Sequence, residues 1–370
     1  MKLSVSRETL VKSLRPMDAV AEKRTTVAIL SNVKLEAGDN RLTLTATDND
    51  LSVQDSIEAF VETPGVTTVH AHKLYEIIQK TPEGVMVGVE LTDNGNRLEL
   101  TAGKSRFSLA CLPADAFPDM TTVTDGTSFT IAGPTLAKAL VKSQFAASTD
   151  ETRAYLTGIY MHIPENVDNI LRFVSTDGHR LAQVDMPQPE GAQGMPGVIL
   201  PRKFVNDLKK LAEETKEVKL TVTETKVQAE AGSVVLTSKV IDGTFPDYTR
   251  VIPQDNKMKM AVARRHLLQA VDRVAILSHE KSRSVKFALG QDELTITANN
   301  PDQEKASEEV RVDYSESPLE VGFNARYVAD IGQQVDGDDM QFFFKDGQSP
   351  VLVSDPTDGG ALFVVMPMRV

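Results

Sequence analysis

An internal repeat with a period of 123 to 130 residues constrains this chain more than any other feature of its sequence. Three strand-like runs, 129 and then 123 residues apart, each end in a small polar turn: Leu42–Asp48, Leu171–Asp177 and Leu294–Asn300. A second anchor, Phe-Pro-Asp, occurs at 117–119 and 245–247, and the third copy of this region ends the chain at 362–370. Such spacing indicates three copies of one structural unit.

Six segments, two in each repeat, carry apolar residues at helical spacing and are predicted to be helices with one buried face. They span residues 6–21, 71–82, 134–146, 201–211, 263–276 and 324–335. Short alternating strands and turn residues fill the remainder, which predicts an α+β fold with antiparallel sheets packed under two helices in each repeat. Because 370 residues exceed what one core usually serves, we expect three rigidly abutted domains over 1–125, 126–253 and 254–370.

Composition excludes several classes of protein. With 41% hydrophobic residues, 25% charged residues and a mean hydropathy of -0.20, the chain is typical of globular proteins. It shows neither a secretory apolar region nor a run of about 20 apolar residues that would span a membrane, so we expect a cytoplasmic protein with no membrane partner. Cys111 is the single cysteine, which excludes an intramolecular disulfide and a cysteine-rich zinc module and favours a packing role.

The sign of charge differs between the predicted helices and the rest of the chain. The net charge is -12, which by itself argues against a nucleic-acid partner, yet the six helical segments together carry +9 and the remainder -21. Lys138 and Lys142 are spaced i, i+4 and are predicted to project from one helix face opposite Leu136 and Leu140. Lysines that only keep a helix face soluble would explain the positive charge of any one helix. Five basic helices in an acidic chain instead favour a shared surface that binds phosphates without recognising base sequence.

Five motifs carry a resemblance to a known family. They are TDGHRLA at 176–182, KSRFSL at 104–109, FPDY at 245–248, ITANNP at 296–301 and VMPMR at 365–369. With these motifs in this order, the chain resembles the bacterial DNA polymerase III beta subunit, or sliding clamp, over essentially its full length. A low aromatic content of 5% with no tryptophan agrees with a duplex rather than a single strand as the DNA partner.

The resemblance implies a non-catalytic processivity factor without a cofactor or metal. Three DNA-clamp domains in each protomer would give six in a head-to-tail homodimeric ring around double-stranded DNA, bound independently of sequence. The implied protein partners are the DNA polymerase III alpha subunit, the clamp loader, other DNA polymerases and mismatch repair proteins. Each would bind through a short linear motif.

The family's functional residues carry over to three sets of positions. The partner-peptide groove corresponds to Leu156, Thr176, Gly178, His179, Arg180, Leu181, Pro246, Arg250, Val251, Asn324, Tyr327, Val364, Met366, Pro367, Met368 and Arg369. DNA contacts correspond to Arg24 and Tyr155, joined by the helix residues Lys138, Lys142, Lys209 and Arg273. The dimer interface corresponds to Phe107 and Leu109 on an edge strand of the first domain, against Ile276 and Leu277 of the third.

Other functions have weaker support. Asp177, His179 and Arg180 could serve acid-base catalysis, but no G-x-S-x-G elbow supplies a nucleophile. Gly103-Lys104-Ser105 resembles the end of a Walker A loop, yet position 98, where its first glycine would stand, is leucine. His70 and His72 form an isolated pair, and the acidic runs at 48–50 and 336–339 lack calcium-loop spacing. An interaction scaffold without DNA remains the third alternative.

Overall fold

The computed structural model describes residues 1–118 and 123–369. Residues 119–122 and 370 lie outside this description, and among them are Asp119 of the first Phe-Pro-Asp anchor and the terminal Val370. Among the described helices, none is both long and apolar enough to cross a bilayer.

Six α-helices form where helical periodicity predicts them. They are α1 (Arg7–Val20), α2 (Ala71–Lys80), α3 (Gly133–Gln144), α4 (Arg202–Glu214), α5 (Arg264–Ala275) and α6 (Ala325–Gly332). Side chains cap two of the helix starts, because the Oγ of Ser6 accepts from Thr9 N and Oδ1 of Asn324 accepts from Arg326 N. The prediction of six helices is confirmed for the described part of the chain.

The chain divides into two compact units. The first comprises Met1–Leu136, Pro189–Pro196 and Asn206–Val240, and the second comprises Ala137–Gln188, Gly197–Val205 and Ile241–Val370. Residues of α3 and α4 are divided between the two units. The middle third of the sequence therefore contributes to both units.

The first unit contains one 13-stranded sheet in the order β10-β15-β16-β17-β4-β3-β2-β6-β9-β8-β7-β1-β5. Its strands are β1 (Lys2–Ser6), β2 (Asn32–Gly38), β3 (Arg41–Thr47), β4 (Leu51–Glu58), β5 (Phe60–Thr63), β6 (Gly65–His70), β7 (Met86–Thr92), β8 (Arg97–Ala102), β9 (Ser105–Leu112), β10 (Thr127–Ala132), β15 (Glu217–Val222), β16 (Lys226–Ala231) and β17 (Val234–Lys239). Helix α1 buries Leu10, Leu14 and Met17 and packs on α2, β3 and β4.

The second unit contains two sheets. Their orders are β14-β11-β12-β13-β25-β24-β23-β18 and β21-β20-β19-β22. The strands are β11 (Ile159–His162), β12 (Ile170–Thr176), β13 (Arg180–Pro187), β14 (Val198–Leu200), β18 (Met258–Ala263), β19 (Ser284–Gly290), β20 (Glu293–Asn299), β21 (Lys305–Arg311), β22 (Leu319–Asn324), β23 (Asp339–Phe344), β24 (Val351–Asp355) and β25 (Asp358–Val365). A core that includes Phe287, Phe323, Phe342 and Phe363 lies under α5 and α6.

Strand pairing joins the predicted repeats. In the first unit, β17 from the central third of the sequence pairs with β4 from the first third, at the register Leu236↔Val53. In the second unit, β13 pairs with β25 from the last third, at the register Leu181↔Val364. All the named strand pairs are antiparallel, which confirms the predicted α+β class with antiparallel sheets. Backbone hydrogen bonds therefore connect strands from different repeats within each unit.

The first repeat anchor has the same local structure in each copy. The three runs form β3, β12 and β20, and the polar residue after each strand accepts backbone hydrogen bonds within its turn. Asp48 Oδ1 accepts from Leu51 N at 2.7 Å, Asp177 Oδ1 from His179 N at 2.8 Å, and Asn300 Oδ1 from Glu304 N at 3.0 Å. Short polar side chains are required there because they satisfy turn amides that no strand can reach.

Candidate functional site

The floor of the candidate groove is an apolar cluster in the second unit. Leu181 of β13 and Val364 of β25 are direct cross-strand partners, and each is only 1% exposed. Leu156 ends a short 3-10 helix, Glu151–Leu156, and packs into the same cluster, with Val174, Ile199, Phe245 and Tyr248. Three predicted groove residues therefore share one buried apolar cluster.

A tight turn between β12 and β13 borders this cluster. Its conformation is set by Asp177, whose Oδ1 accepts from the backbone amides of His179 and Arg180 at 2.8 and 3.0 Å. Thr176 Oγ1 accepts from Gly178 N and donates to the carbonyl of Arg180 at 2.7 Å. Gly178 has a φ of +91°, a conformation that side chains disfavour. The carboxylate of Asp177 is thus a structural element of the turn.

Arg180 is the most constrained charged residue of the groove. Its side chain is 9% exposed and its guanidinium donates to Asp177 Oδ2 at 3.1 Å, Asp330 Oδ2 at 2.5 Å and the carbonyl of Phe145 at 2.8 Å. The same guanidinium lies 4.6 Å from the ring centre of Tyr327 and 5.2 Å from that of Phe145. Because two carboxylates and a carbonyl satisfy it, this buried charge is compensated and orients the rings around it.

Helix α6 supplies the opposite border. Asn324 caps its start and also donates from Nδ2 to the carbonyl of Ser282 at 3.2 Å. One turn further, the ring of Tyr327 stacks on that of His179, with centres 6.2 Å apart. Burial, together with the negative charge of Asp177, raises the pKa of Tyr327, so its hydroxyl is a hydrogen-bond donor at neutral pH.

The C-terminal segment follows β25 along this border. Met366 N donates to the carbonyl of His179 at 2.8 Å, and Met368 N donates to that of Gly322 at 2.9 Å. Met366, Pro367 and Met368 are half-buried, whereas Arg369 is exposed. Two flexible thioethers held on an ordered backbone form an apolar surface that can adapt to different side chains.

The Phe-Pro-Asp-Tyr segment supplies the remaining border. Pro246 and Arg250 are exposed, Val251 is 40% exposed, and all three flank Tyr248, which opens a 3-10 helix over Tyr248–Val251. Arg250 Nε donates to Asp247 Oδ2 at 2.8 Å, which directs its aliphatic stem along the segment. All sixteen predicted groove residues therefore lie in the second unit.

A polar cluster beneath this segment was not predicted from the sequence. Tyr248 Oη accepts from Arg172 Nη1 at 3.2 Å and lies 3.0 Å from His162 Nε2. Arg172 is itself paired with Asp185, and burial lowers the pKa of His162 to about 4. The Tyr248 hydroxyl therefore shares a hydrogen bond with a neutral imidazole while it accepts from Arg172. The sequence carries only a weak signal for this cluster, because polar residues at alternating positions in strands are common.

The predicted DNA contacts differ in exposure. Arg24 and Tyr155 are exposed, and Lys209 is half-buried on α4. Arg273 is paired through its guanidinium with Glu308, at 2.9 Å between Nε and Oε2, and this pair raises the pKa of Arg273. Lys138 is half exposed and paired with two aspartates.

The prediction that Lys142 projects into solvent is wrong. Its side chain is 3% exposed, and its ammonium lies 2.8 Å from Asp358 Oδ2 and 2.9 Å from Asp336 Oδ2. Helical spacing places Lys142 on the same side of α3 as Lys138. Asp336 and Asp358 nevertheless cover Lys142, which lies nearer the C-terminal end of the helix. A lysine buried between two carboxylates cannot reach a phosphate in this conformation.

The predicted dimer-interface residues lie on accessible positions. Phe107 and Leu109 are half-buried on β9, and in the described part of the chain Ser105–Ala110 pair with β8 alone, which leaves the other strand edge open. Ile276, at the end of α5, is 76% exposed, and Leu277 is half-buried. The Ile276 side chain is therefore available for a contact with another chain.

The alternative chemistries gain no geometric support. Asp177 and Arg180 are engaged in the turn described above, and within residues 1–118 and 123–369 no three histidine, cysteine or carboxylate side chains are grouped to hold a metal ion. His72 pairs instead with Asp18, at 2.8 Å. Cys111 is half-buried, and burial raises the pKa of its thiol, which makes it a poor nucleophile.

Three family models match the chain in succession. The model of the DNA polymerase III beta subunit N-terminal domain matches residues 1–121, that of the central domain residues 130–247, and that of the C-terminal domain residues 249–369. Together they cover nearly every residue.

Known proteins are similar over the full chain. A beta sliding clamp of Caulobacter vibrioides is 47% identical and one of Escherichia coli K12 is 37% identical, each over 100% of both chains. A crystal structure of a Caulobacter crescentus beta sliding clamp superimposes with a TM-score of 0.96 at 46% identity, covering 100% of this chain and 99% of the other. A Bartonella birtlesii clamp bound to griselimycin superimposes with a TM-score of 0.96 at 43% identity, covering 100% of both.

Proposed function

The chain belongs to the DNA polymerase III beta subunit family, and on that premise we propose that it is a sliding clamp which encircles duplex DNA as a head-to-tail homodimer. In this role it tethers the replicative polymerase to its template and confers processivity. It catalyses no reaction of its own, as is the case for this family of processivity factors. Its place of action is the cytoplasm.

The observation that carries the proposal is the buried apolar cluster of the second unit together with the half-buried and exposed residues that border it. A floor of Leu156, Leu181 and Val364 is bordered by a fixed turn and by methionines on an ordered C-terminal segment. A surface of this kind suits the hydrophobic anchors of short peptides and can serve many partners in turn.

We propose that this groove binds linear motifs of the polymerase alpha subunit, the clamp loader, other DNA polymerases and mismatch repair proteins. Its residues are Leu156, Thr176, Gly178, His179, Arg180, Leu181, Pro246, Arg250, Val251, Asn324, Tyr327, Val364, Met366, Pro367, Met368 and Arg369. The buried members form the floor or fix the borders, and the half-buried and exposed members contact the peptide.

We propose DNA contacts at Arg24, Lys138, Tyr155, Lys209 and Arg273. Exposure at Arg24, Tyr155 and Lys138 supports direct contact with phosphates, whereas Arg273 must share its charge with Glu308. Lys142 is left out of this set because Asp336 and Asp358 enclose it. These contacts attract the backbone without reading bases, which permits sliding.

We propose domain boundaries at 1–125, 126–253 and 254–370, with the interface formed by Phe107 and Leu109 of one protomer and Ile276 and Leu277 of its partner. The open edge of β9 and the 76% exposure of Ile276 support this assignment. A head-to-tail contact that closes after two copies produces two identical interfaces and a ring of six domains.

The experiment that tests the function compares circular with linear DNA. The protein is loaded by a clamp loader and ATP onto a nicked circular plasmid, and half of the sample is then linearised with a restriction enzyme. We expect the protein to stay on the circle at a salt concentration that removes it from the linear form. Equal loss from both forms would contradict a topological clamp, and no association with either would favour a scaffold without DNA.

A further inference from the structure

Four charged side chains form a closed cluster in the second unit. Lys138 and Lys142 are one turn apart on α3, and Asp336 and Asp358 lie on segments that follow α6 and begin β25. Each lysine ammonium lies close to both carboxylates, at 3.0 to 3.1 Å for Lys138 and 2.8 to 2.9 Å for Lys142. The two positive charges are therefore balanced by two negative charges.

Hydrogen bonds within the cluster shift the pKa of three of its groups toward the charged form. Burial acts to raise the pKa of Asp358, but the hydrogen bonds from Lys142 and Lys138 outweigh it and lower that pKa to about 2. The hydrogen bond from Lys142 likewise lowers the pKa of Asp336, and the one to Asp358 raises the pKa of Lys138. The cluster is thus a pair of ion pairs with no net charge.

The two ion pairs differ in their access to water. The side chains of Lys142 and Asp358 are 3% and 18% exposed, whereas those of Lys138 and Asp336 are 53% and 58% exposed. The inner pair is enclosed and costly to separate. The outer pair is solvated, so an anion from solution can compete with Asp336 for Lys138, although Lys138 also contacts the enclosed Asp358.

Asp336 is fixed in this position by the backbone. Its own amide and that of Gly337 both donate to Asp355 Oδ2, at 2.8 and 3.2 Å. Asp355 is 3% exposed and anchors this segment at the end of β24. These two hydrogen bonds hold the backbone at Asp336, so the position of its carboxylate next to α3 does not depend on the side-chain rotamer alone.

We propose that Asp336 acts as an internal competitor of DNA phosphates for Lys138, weakening the hold of the clamp on the duplex so that it can slide. This inference rests on the proposed contact between Lys138 and DNA. Lys142 holds the inner carboxylate of Asp358, and the solvated Lys138, which contacts both carboxylates, exchanges between them and passing phosphates. Without the Asp336 carboxylate, Lys138 keeps only the Asp358 carboxylate, which it shares with Lys142. Asp336 is a positioning residue in this scheme because it never touches DNA.

The salt dependence of DNA binding measures the competition. For duplex DNA the slope of log Kobs against log salt steepens by about 0.9 for each additional phosphate neutralised. Because Lys138 is engaged only part of the time in the native protein, Asp336→Asn is expected to steepen the slope by up to about 0.9. The measurement uses the homodimer, a short linear duplex and fluorescence anisotropy between about 50 and 200 mM salt.

The matched control is Asp338→Asn, which removes one negative charge from an exposed residue of the same segment. We expect this variant to retain the native slope, since general charge reduction adds no phosphate contact. Asp336→Asn is isosteric and leaves Lys142 paired with Asp358, so the fold is expected to persist. Equal slopes for the two variants would overturn the proposal.

A second variant identifies the released cation. Lys138→Gln, at an exposed position, is expected to abolish the steepening when combined with Asp336→Asn, and persistence of the steepening in that double variant would also overturn the inference. Failure of the proposed function would be observed in a different experiment, in which the unaltered protein would not be retained on circular DNA. The two failures are therefore distinguishable.

Discussion

Ile276→Ala tests the ring interface without disturbing the protomer. Because Ile276 is 76% exposed in the protomer, its truncation creates no internal cavity, unlike the truncation of a core residue. Each buried methylene is worth about 0.8 kcal/mol, and replacing isoleucine by alanine removes three carbons. With three quarters of the side chain available for burial between chains, the loss is about 2 kcal/mol per interface.

The closed dimer doubles this effect. A head-to-tail dimer contains two identical interfaces, so the loss is about 4 kcal/mol, which raises the dissociation constant several-hundred-fold to about a thousand-fold. Sedimentation equilibrium over a range of protein concentrations measures the change. The double variant with Leu277→Ala is expected to be monomeric.

The control for this experiment is Val66→Ala, which shortens another exposed apolar residue, 45% accessible and on β6. We expect its dissociation constant to equal that of the native protein. A dimer of native strength for Ile276→Ala, with an unchanged melting temperature, would refute the assigned interface. A lowered melting temperature at equal dimer strength would instead mean that Ile276 packs within its own chain.

Three further outcomes are expected. Deletion of Met366 to Val370 should abolish binding of a polymerase-derived peptide while leaving the dimer intact, as measured by anisotropy and sedimentation; unchanged affinity would contradict the groove. Tyr248→Phe removes the hydroxyl that Arg172 and His162 share, so the Phe-Pro-Asp-Tyr segment is expected to lose its position and the binding of the same peptide to weaken by about 1 to 3 kcal/mol. The control variant Tyr155→Phe should bind the peptide with native affinity. The pKa of His162 falls from 6.5 to about 4 on folding, so between these pH values the unfolded chain binds a proton that the folded chain does not. The free energy of unfolding should therefore decline by up to about 3 kcal/mol as pH falls from 6.5 to 4. Urea titrations of His162→Gln should show a shallower decline, and an equal decline would exclude His162 as its cause.

Much of the fold was predictable because it depends on periodicity. Six helices and the α+β class follow from apolar spacing, and the polar residues that end β3, β12 and β20 mark equivalent turns in the three repeats. These signals are local, because a strand, a helix face or a turn is specified by residues only a few positions apart in the sequence. The groove residues were found only through motif resemblance.

Other features depend on residues far apart in the sequence. Spacing placed Lys142 beside Lys138, yet the carboxylates that bury it come from residues 336 and 358, about two hundred positions later. In the same way, the neutral state of His162 depends on burial beside Tyr248, 86 residues away. No local pattern encodes such encounters.

The amino-acid sequence by itself determined the threefold repeat, the helical and strand segments, and the separation of basic helices from acidic surroundings. Tertiary structure alone decided which charges remain available, since pairing across distant segments enclosed Lys142 and left Lys138 half exposed. It also decided that strands of different repeats share sheets, through the pairing of β17 with β4 and of β13 with β25. The physical reason is that hydrogen bonding and desolvation act between groups that only folding brings together.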